Sequence, residues 1–499
     1  MSRKATIAMF TLGLSIGCGT TTKSHDWPNT TYIPISKLGC AAQDVNLNTG
    51  LTSAGGTATD DGPCVNAALS NATAQHPIVL IQDGASLTSG IYGPAAGNWG
   101  IIGLGGGITD AGVIQGTGFF QKAGTNNDVI HNGIPSAMDP TDPRTAAPTR
   151  GSNIIFKDFV INGNRGNGTN GNSTTGDPRG SLTAWYMGIN VANMNNVYVD
   201  GVYFYNTSAY NFRCSNCGHV TVTRSHFETV LPDVPIVVNQ TAGQTDGVHI
   251  SGPANDIVIS DSYFHTGDDS VALNAPEGYC GPITRVTITN STFHQSISGG
   301  RIYSAGDICR SGAVPTVDGV TLSNYSGDAI GEALAIGLGM PHPLNIPRSI
   351  TNVMWANSIV TAASGIQVDD TVGTLMLDNV KLRGLTNGAM LDALWTHTTI
   401  NYLKIIDVSL IRTPTGNTPE AGVFDGTEYY GSAVIDDLDI NGFNIEDEGG
   451  HYATRLKALI EMAGATPSSV GILKYANVDF SKIAALSDGG SITTIIRIL

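Results

Sequence analysis

The chain has 499 residues, and its composition and charge exclude several classes of protein before any motif is considered. Charged residues make up 13% of the chain and the formal net charge is −16. A general nucleic-acid binder needs cations that neutralise phosphates, so this acidic balance argues against one. Hydrophobic residues are 41%, enough for a sizeable core. The abundance of Gly, Thr, Asn, Ser, Val and Ile favours short strands and tight turns over long helices.

Residues 1–18 predict an export signal. Arg3 and Lys4 precede an apolar run over residues 5–17, which is shorter than the ~20 residues that span a bilayer. Cys18 ends the run in a Leu-Ser-Ile-Gly-Cys sequence that resembles a bacterial lipoprotein box. Three explanations of this segment stay open: a lipid anchor at Cys18, simple secretion, and an apolar N-terminus that arose by chance. We expect a secreted, periplasmic or outer-membrane-anchored protein without a transmembrane span.

Six cysteines follow Cys18, an even number that suits disulfide bonds in an exported chain. Sequence order favours the pairs Cys40–Cys64, Cys214–Cys217 and Cys280–Cys309. The Cys-Ser-Asn-Cys segment that ends at Cys217 could instead be half of a metal site with His219. The chain has no second Cys-x-x-Cys segment to complete such a site, so a structural role is favoured.

The middle of the chain repeats a nine-residue pattern without gaps. Each copy has apolar residues at its second, fourth and ninth positions and a polar or glycine kink in the middle, which is typical of two strands joined by a turn. The clearest copies are residues 196–204, 219–227, 256–264 and 285–293, with an earlier copy at 153–161 and a later one that begins near Gly319.

The spacing of these copies predicts a parallel β-helix over residues 30–450. The equivalent positions Val197, Val220, Ile257 and Val286 are 23, 37 and 29 residues apart, so the shortest coil carries no long loop. A single coil cannot bury its inner face, and stacking on its neighbours supplies the core. Hairpin signals for a propeller and helical signals for a doubly wound fold are sparse.

Two segments have helical signals, and we expect them to cover the exposed strand edges at the ends of the solenoid. Residues 59–69 contain an Asp-Asp-Gly cluster followed by Pro63 and an Ala-rich stretch, which is typical of a helix start. The segment from Tyr452 to Ala463 has the best helical pattern in the chain. It belongs to a predicted C-terminal cap of residues 451–499.

Two acidic motifs lie one coil apart. Asp246 lies in a Gln-Thr-Asp-Gly segment, and Asp268 and Asp269 follow 22 and 23 residues later in Gly-Asp-Asp-Ser. Adjacent coils are ~4.8 Å apart, so the three carboxylates should lie side by side. Repulsion should raise the pKa of at least one of them, as a general acid beside a general base requires. A calcium site and ordinary surface turns remain alternatives.

These motifs resemble the core of glycoside hydrolase family 28, the polygalacturonases and their relatives. The resemblance rests on Gln244-Thr-Asp246-Gly-Val-His-Ile-Ser and on the segment from Val258 to Asn274 that contains the aspartate pair. In general pattern it extends over residues 40–345. It implies a right-handed parallel β-helix and a glycoside hydrolase that needs no cofactor or metal.

The resemblance also implies roles for the aspartates. Asp268 would protonate the leaving glycosidic oxygen as the general acid, and Asp246 and Asp269 would activate a water on the opposite face. The outcome would be inversion, which needs ~6.5–9.5 Å between the carboxyl groups so that the water fits.

Four residues are candidate substrate contacts: Gln244, His249, Arg301 and Tyr303. On a straight strand His249 would point away from Asp246 unless Gly247 bends the chain, and a structural histidine is the alternative. Arg301 either binds substrate or forms an ion pair with a site aspartate. Tyr303 could hydrogen-bond a hydroxyl or stack on a sugar ring.

The chain departs from the family pattern at two places. Gln244 stands where the family has Asn. The family has Gly-His-Gly on the coil after the aspartate pair and Arg-Ile-Lys on a later coil. This chain has Arg301-Ile-Tyr303 on the next coil. The lost Lys, with the net charge of −16, weakens the case for polyanionic pectin. Neutral α-glycans, as handled by β-helix dextranases and α-1,3-glucanases, become credible.

Three classes of function remain. We expect an exported inverting glycoside hydrolase, a monomer that acts on a polysaccharide or oligosaccharide and binds no nucleic acid. A lyase or epimerase on the same scaffold would need calcium and a basic residue near the motifs. A non-catalytic β-helix, such as an adhesin or a carbohydrate-binding protein, is the third class.

Overall fold

The structure is a computed structural model. It describes residues 27–109, 111–125, 127–132, 147–165, 186–229, 245–304, 309, 312, 314–337, 349–384, 394–396, 398–413, 421–425, 433–448, 455–462 and 468–498. The predicted export signal with Cys18 lies outside these residues, as does Gln244, so what the sequence indicates for them stays a prediction. In the described part of the chain, no helix is long and apolar enough to cross a membrane.

The chain folds as a right-handed parallel β-helix, as predicted. Strands pair in parallel with those of the preceding and following coils, and the short pair Gly106–Ile108 with Ile114–Gly116 is antiparallel. One continuous apolar core runs along the inside of the stack. The core therefore sits within the coils, and polar side chains project from their outer faces.

The elements follow one another in chain order. Among the described residues, the helices are the α-helix Gly62–Leu69 and the 3-10 turns Ile35–Lys37 and Phe480–Lys482. The strands up to the site are Thr31–Pro34, Ile78–Gln82, Ala85–Thr88, Ile91–Tyr92, Gly97–Gly103, Gly106–Ile108, Ile114–Gly116, Gly118–Gln121, Ile130–His131, Gly151–Lys157, Val160–Asn162, Ile189–Asp200, Tyr203–Tyr205, Phe212–Thr223, His226–Glu228, Val248–Ser260, Tyr263–His265 and Val271–Asn274. The later strands are Ile283–Ser296, Arg301–Tyr303, Val317–Ala329, Glu332–Ile336, Ile350–Ala362, Ser364–Val368, Val372–Gly384, Leu394–Thr396, Thr399–Arg412, Ala421–Asp425, Val434–Asp447, Leu456–Met462, Ser469–Val478, Ile483–Gly489 and Ser491–Arg497.

The repeat found in the sequence corresponds to the register of the stack. Val197 lies opposite Val220, Val220 opposite Ile257, Ile257 opposite Val286, and Val286 opposite Val320. All five side chains are buried. The gaps between copies therefore measure coil lengths, and the prediction of stacked, in-register coils is confirmed.

The prediction of an N-terminal helix is confirmed, and the prediction of a C-terminal helix is wrong. Gly62–Leu69 begins beside Pro63 and packs on the core. Leu456–Met462, by contrast, is a strand that pairs in parallel with Ala421–Asp425 and Ile483–Gly489. Six of its seven residues are buried, and pairing with the neighbouring strands outweighs its helical propensity. Strand pairing continues past residue 450, and the division into domains stays a prediction.

All three disulfide pairs favoured by sequence order are present, Cys40–Cys64, Cys214–Cys217 and Cys280–Cys309. The bond between Cys214 and Cys217 removes the thiolates that a metal site there would need. The first bond ties the N-terminal segment to the helix, and the third lies near the acidic motifs.

An aromatic ladder reinforces the coils around the acidic motifs. Phe227 is fully buried between Phe204 and Phe264, with ring centroids 4.8 Å away on each side. We expect Phe227→Ala to lower the free energy of unfolding by about 3–5 kcal/mol, because it leaves a cavity and removes two stacking contacts. Urea unfolding followed by circular dichroism measures this change.

Thr221→Ala is the matched control, since Thr221 lies on the outer face of the preceding strand. It should change the unfolding free energy by less than about 0.5 kcal/mol. Equal effects of the two substitutions would contradict the role of the ladder.

Candidate active site

Three aspartates from two adjacent coils meet on the outer face of the β-helix. Asp246 precedes the strand Val248–Ser260, and Asp268 and Asp269 precede Val271–Asn274, which pairs with it. The amide N–H of Gly247 donates to the carbonyl of Asp269 at 3.0 Å, so the two bends are stacked. One carboxylate oxygen of each aspartate lies within 4.8 Å of the other two. The predicted adjacency is confirmed.

A bend at Gly247 turns His249 toward Asp246. Nδ1 of His249 is 2.6 Å from Oδ2 of Asp246, so the two side chains share a face, which residues three apart on a straight strand would not do. A Cβ at this glycine would lie 2.5 Å from the carbonyl oxygen of Ser270 and would collide with the ring of Phe264. Only glycine fits the close approach of the two coils here.

His249 is fully buried between two carboxylates. Its Nε2 is 2.7 Å from Oε2 of Glu277, and the ring of Tyr210 stacks on the imidazole at 3.8 Å. Burial opposes the charged form, but Glu277 and Asp246 outweigh it and raise the pKa of His249 to about 9. Ionised carboxylates only accept, so the imidazolium donates from both nitrogens.

Burial also acts on Asp246. It raises the pKa of this carboxyl to about 6, although the hydrogen bond and charge of His249 oppose the rise. The side chain is 3% exposed. A carboxyl group that titrates close to neutral pH is suited to exchange protons with a substrate or a water.

Asp269 is held at both oxygens. The hydroxyl of Ser298 donates to Oδ1 at 2.5 Å, and Nε of Arg301 donates to Oδ2 at 2.6 Å. Nη1 of Arg301 also donates to the carbonyl of Gly337 at 3.0 Å. Of the two alternatives for Arg301, the ion pair is the one found. Substrate binding by this residue stays a prediction.

The strand register decides the coil order that the sequence left open. Arg301–Tyr303 pairs directly with Val271–Asn274, with Arg301 opposite Ala272, and the next coil contributes Glu332–Ile336. No coil lies between the aspartate pair and Arg301. Tyr303 is 8% exposed, so its ring offers little surface for stacking on a sugar. Gln244 lies outside the described residues, and its role stays a prediction.

Sequence reasoning missed three residues that support the carboxylates: Tyr210, Glu277 and Ser298. The sequence could have indicated Ser298, because the coil spacing aligns its segment with Asp269. Glu277 lies between the strands Val271–Asn274 and Ile283–Ser296, outside any repeat, so no period identifies it. The contact of Tyr210 with His249 depends on the bend at Gly247.

The calcium alternative now has a physical objection. Carboxylate oxygens are the ligands that calcium prefers. However, the His249 imidazolium already pairs with Asp246, and the Arg301 guanidinium pairs with Asp269. These two cations neutralise much of the negative charge that would attract a calcium ion. The expectation of no metal stays a prediction.

Gly247→Ala tests the bend that aligns the site. The added methyl group would overlap Phe264 and Ser270, and we expect the free energy of unfolding to fall by about 1–3 kcal/mol. Gly300→Ala is the matched control, because the nearest atom to its new Cβ is 3.4 Å away. Thermal unfolding of both variants checks the expectation, and equal stabilities would contradict it.

Comparison with solved structures shows the fold alone. A Yersinia enterocolitica family 28 exopolygalacturonase has 12% identity and a TM-score of 0.51, over 89% of this chain and 78% of that chain. A tailspike protein mutant of Escherichia coli bacteriophage HK620, solved with a pentasaccharide, has 11% identity and a TM-score of 0.58, over 91% of this chain and 78% of that chain. A comparison with curated protein sequences finds no match.

A family model identifies the central coils. The model described as glycosyl hydrolases family 28 matches residues 154–329. The matched segment contains Asp246, Asp268 and Asp269 with their partners His249 and Arg301. The resemblance stated from the sequence is thereby confirmed: the coils that form this site match glycosyl hydrolases family 28.

Proposed function

We propose that this protein is an exported glycoside hydrolase that cleaves a polysaccharide or oligosaccharide at the three-aspartate site. The observation that carries the proposal is the meeting of Asp246, Asp268 and Asp269 within 4.8 Å, inside the segment that matches glycosyl hydrolases family 28. Clustered carboxylates repel one another, so a stable fold has no need of them. The three disulfides suit the oxidising compartment into which an exported chain passes.

The surroundings of the aspartates support a division of acid and base. Asp268 is the most exposed of the three, and we assign it as the general acid that protonates the glycosidic oxygen. Asp246 and Asp269 are 3% exposed, and we assign this pair to the activation of the attacking water. The products would be two shorter saccharides, with the proton of Asp268 on the leaving oxygen.

The environment of Arg301 supports a neutral sugar, or a lone uronate at a chain end, as substrate. Binding of a polyuronate needs cations that are free to pair with successive carboxylates. Arg301 pairs with Asp269, and the buried His249 pairs with Asp246 and Glu277. A polygalacturonate chain would therefore find little uncompensated positive charge at these two residues.

The same two side chains argue against a lyase or epimerase. Such an enzyme needs a base that removes a proton beside a carboxylate. His249 is fully buried and held as an imidazolium, and Arg301 is ion-paired, so neither can serve as that base. A screen for released reducing sugar on pectic and neutral glycans tests the proposal. Failure to cleave any glycan would favour a carbohydrate-binding protein.

Asp268→Asn tests the general acid. The substitution keeps the shape of the side chain but removes its proton, and we expect kcat to fall by roughly 10² to 10⁴. Stability should hold or rise, because one like charge leaves the cluster. Asp261→Asn is the control, since Asp261 is an exposed turn residue of the same coil in a left-handed conformation that Asn also adopts. Unchanged turnover of Asp268→Asn would refute the assignment.

Ionic strength tests the charge of the substrate. We expect faster cleavage of neutral glycans or of terminal uronates than of continuous polygalacturonate, with little dependence on salt, since screening acts only on interactions between charges. Initial rates between low and high NaCl concentrations measure this dependence. Activity confined to unesterified polygalacturonate, falling steeply with salt, would contradict the expectation.

Product stereochemistry tests the role of water. One oxygen of each aspartate lies within 4.8 Å of the other two, whereas the ~6.5–9.5 Å of inverting pairs and the ~5–5.5 Å of retaining pairs are separations between whole carboxyl groups. We expect inversion, because the resemblance to family 28 implies it and the short hydrogen bonds from Ser298 and Arg301 hold Asp269 in place. Proton NMR of the first product decides, and a retained anomer would show that a carboxylate attacks directly.

A further inference from the structure

The two carboxylates assigned to water activation differ in what holds them. Both oxygens of Asp269 accept short hydrogen bonds, from Ser298 and Arg301. Among the described contacts, Asp246 has a side-chain hydrogen bond only at Oδ2, from His249. Oδ1 of Asp246 therefore keeps both of its lone pairs for a water, whereas each oxygen of Asp269 already accepts from a fixed donor.

The partner of Asp246 is itself fixed from every side. His249 is fully buried, the ring of Tyr210 lies on it nearly parallel at 3.8 Å, and its second nitrogen is 2.7 Å from Glu277. The other oxygen of Glu277 accepts from the side-chain amide of Asn274 at 3.0 Å. A buried imidazole between two carboxylates can neither rotate nor reach a substrate.

The segment that carries Glu277 is anchored close by. The amide of Cys280 donates to the carbonyl of Glu277 at 3.0 Å, and Cys280 is bonded to Cys309. Arg213 is fully buried on the strand Phe212–Thr223, and its positive charge also attracts Glu277. Glu277 is thus held in position independently of any ligand.

We propose that His249 and Glu277 are positioning residues that orient Asp246 and make it, rather than Asp269, the base that takes a proton from water. The inference rests on the proposed function and deepens it. In the step concerned, the water oxygen forms a bond to the anomeric carbon and its proton passes to the free oxygen of Asp246. The glycosidic bond breaks and its oxygen takes the proton of Asp268. His249 keeps both of its protons throughout.

The charge state of His249 is tested first and needs no substrate. In protein with ¹³C-labelled histidine rings, we expect the His249 signal, assigned by its loss in His249→Asn, to stay in the imidazolium form from pH 5 to pH 8. In Glu277→Gln, its titration should move down by at least about one pH unit, because one of two anionic partners is lost. A His249 that is neutral at pH 7 in the unaltered protein would overturn the proposal.

Kinetics then test the positioning role. In His249→Asn, kcat should fall roughly 10- to 100-fold through misplacement of the base, with KM within about twofold because the buried ring touches no substrate. The acid limb of the pH profile should move to higher pH, since Asp246 loses its cationic partner. In Glu277→Gln, the alkaline limb should move to lower pH together with the titration of His249. A purely structural role would leave both limbs in place.

Glu228→Gln is the matched control. Glu228 accepts from His226 at 2.9 Å and from Tyr203 at 2.8 Å, and its described side-chain partners, which also include His265 at 3.6 Å, contain none of the three aspartates. Its substitution breaks a similar pair and should leave kcat and both limbs unchanged. If the unaltered protein cleaves no glycan, the proposed function is refuted. If an active His249→Asn variant keeps the native kcat and acid limb, the inference alone is overturned.

Discussion

Parallel stacking of coils at the spacing of hydrogen-bonded strands is the constraint on which the rest of this structure depends. It places residues one coil apart in sequence next to one another in space. Through this stacking Val197, Val220 and Ile257 form one buried column. The same stacking brings Asp246 beside Asp269, against the repulsion of their charges. The apolar core therefore supplies the free energy that holds the carboxylates together.

The charges at the site are balanced in a particular way. Each buried carboxylate has its own cation, His249 for Asp246 and Arg301 for Asp269. Those cations are in turn fixed, by Glu277 and by the carbonyl of Gly337 respectively. Asp268 is left at the front of the group with the greatest exposure. The arrangement favours an exposed general acid, Asp268, beside two buried carboxylates that are held in place.

Much of the fold was predictable from the sequence, because the spacing of the apolar positions in the repeat equals the length of each coil. The adjacency of the aspartates followed from the same period. Contacts that depend on a local break in the strand could not be predicted: the turn of His249 toward Asp246 needs the bend at Gly247, and Glu277 lies outside the repeat. The helix predicted up to Ala463 failed because pairing with neighbouring coils, not local propensity, decided the conformation of Leu456–Met462.

The central claim is that the three aspartates add water across a glycosidic bond. Mass spectrometry of the fragments released from a cleaved glycan in H₂¹⁸O tests it most directly. The account predicts saturated fragments that carry one ¹⁸O at the newly formed end, and loss of these fragments in Asp268→Asn. Unsaturated fragments without label would reveal elimination instead of hydrolysis, and would contradict the account.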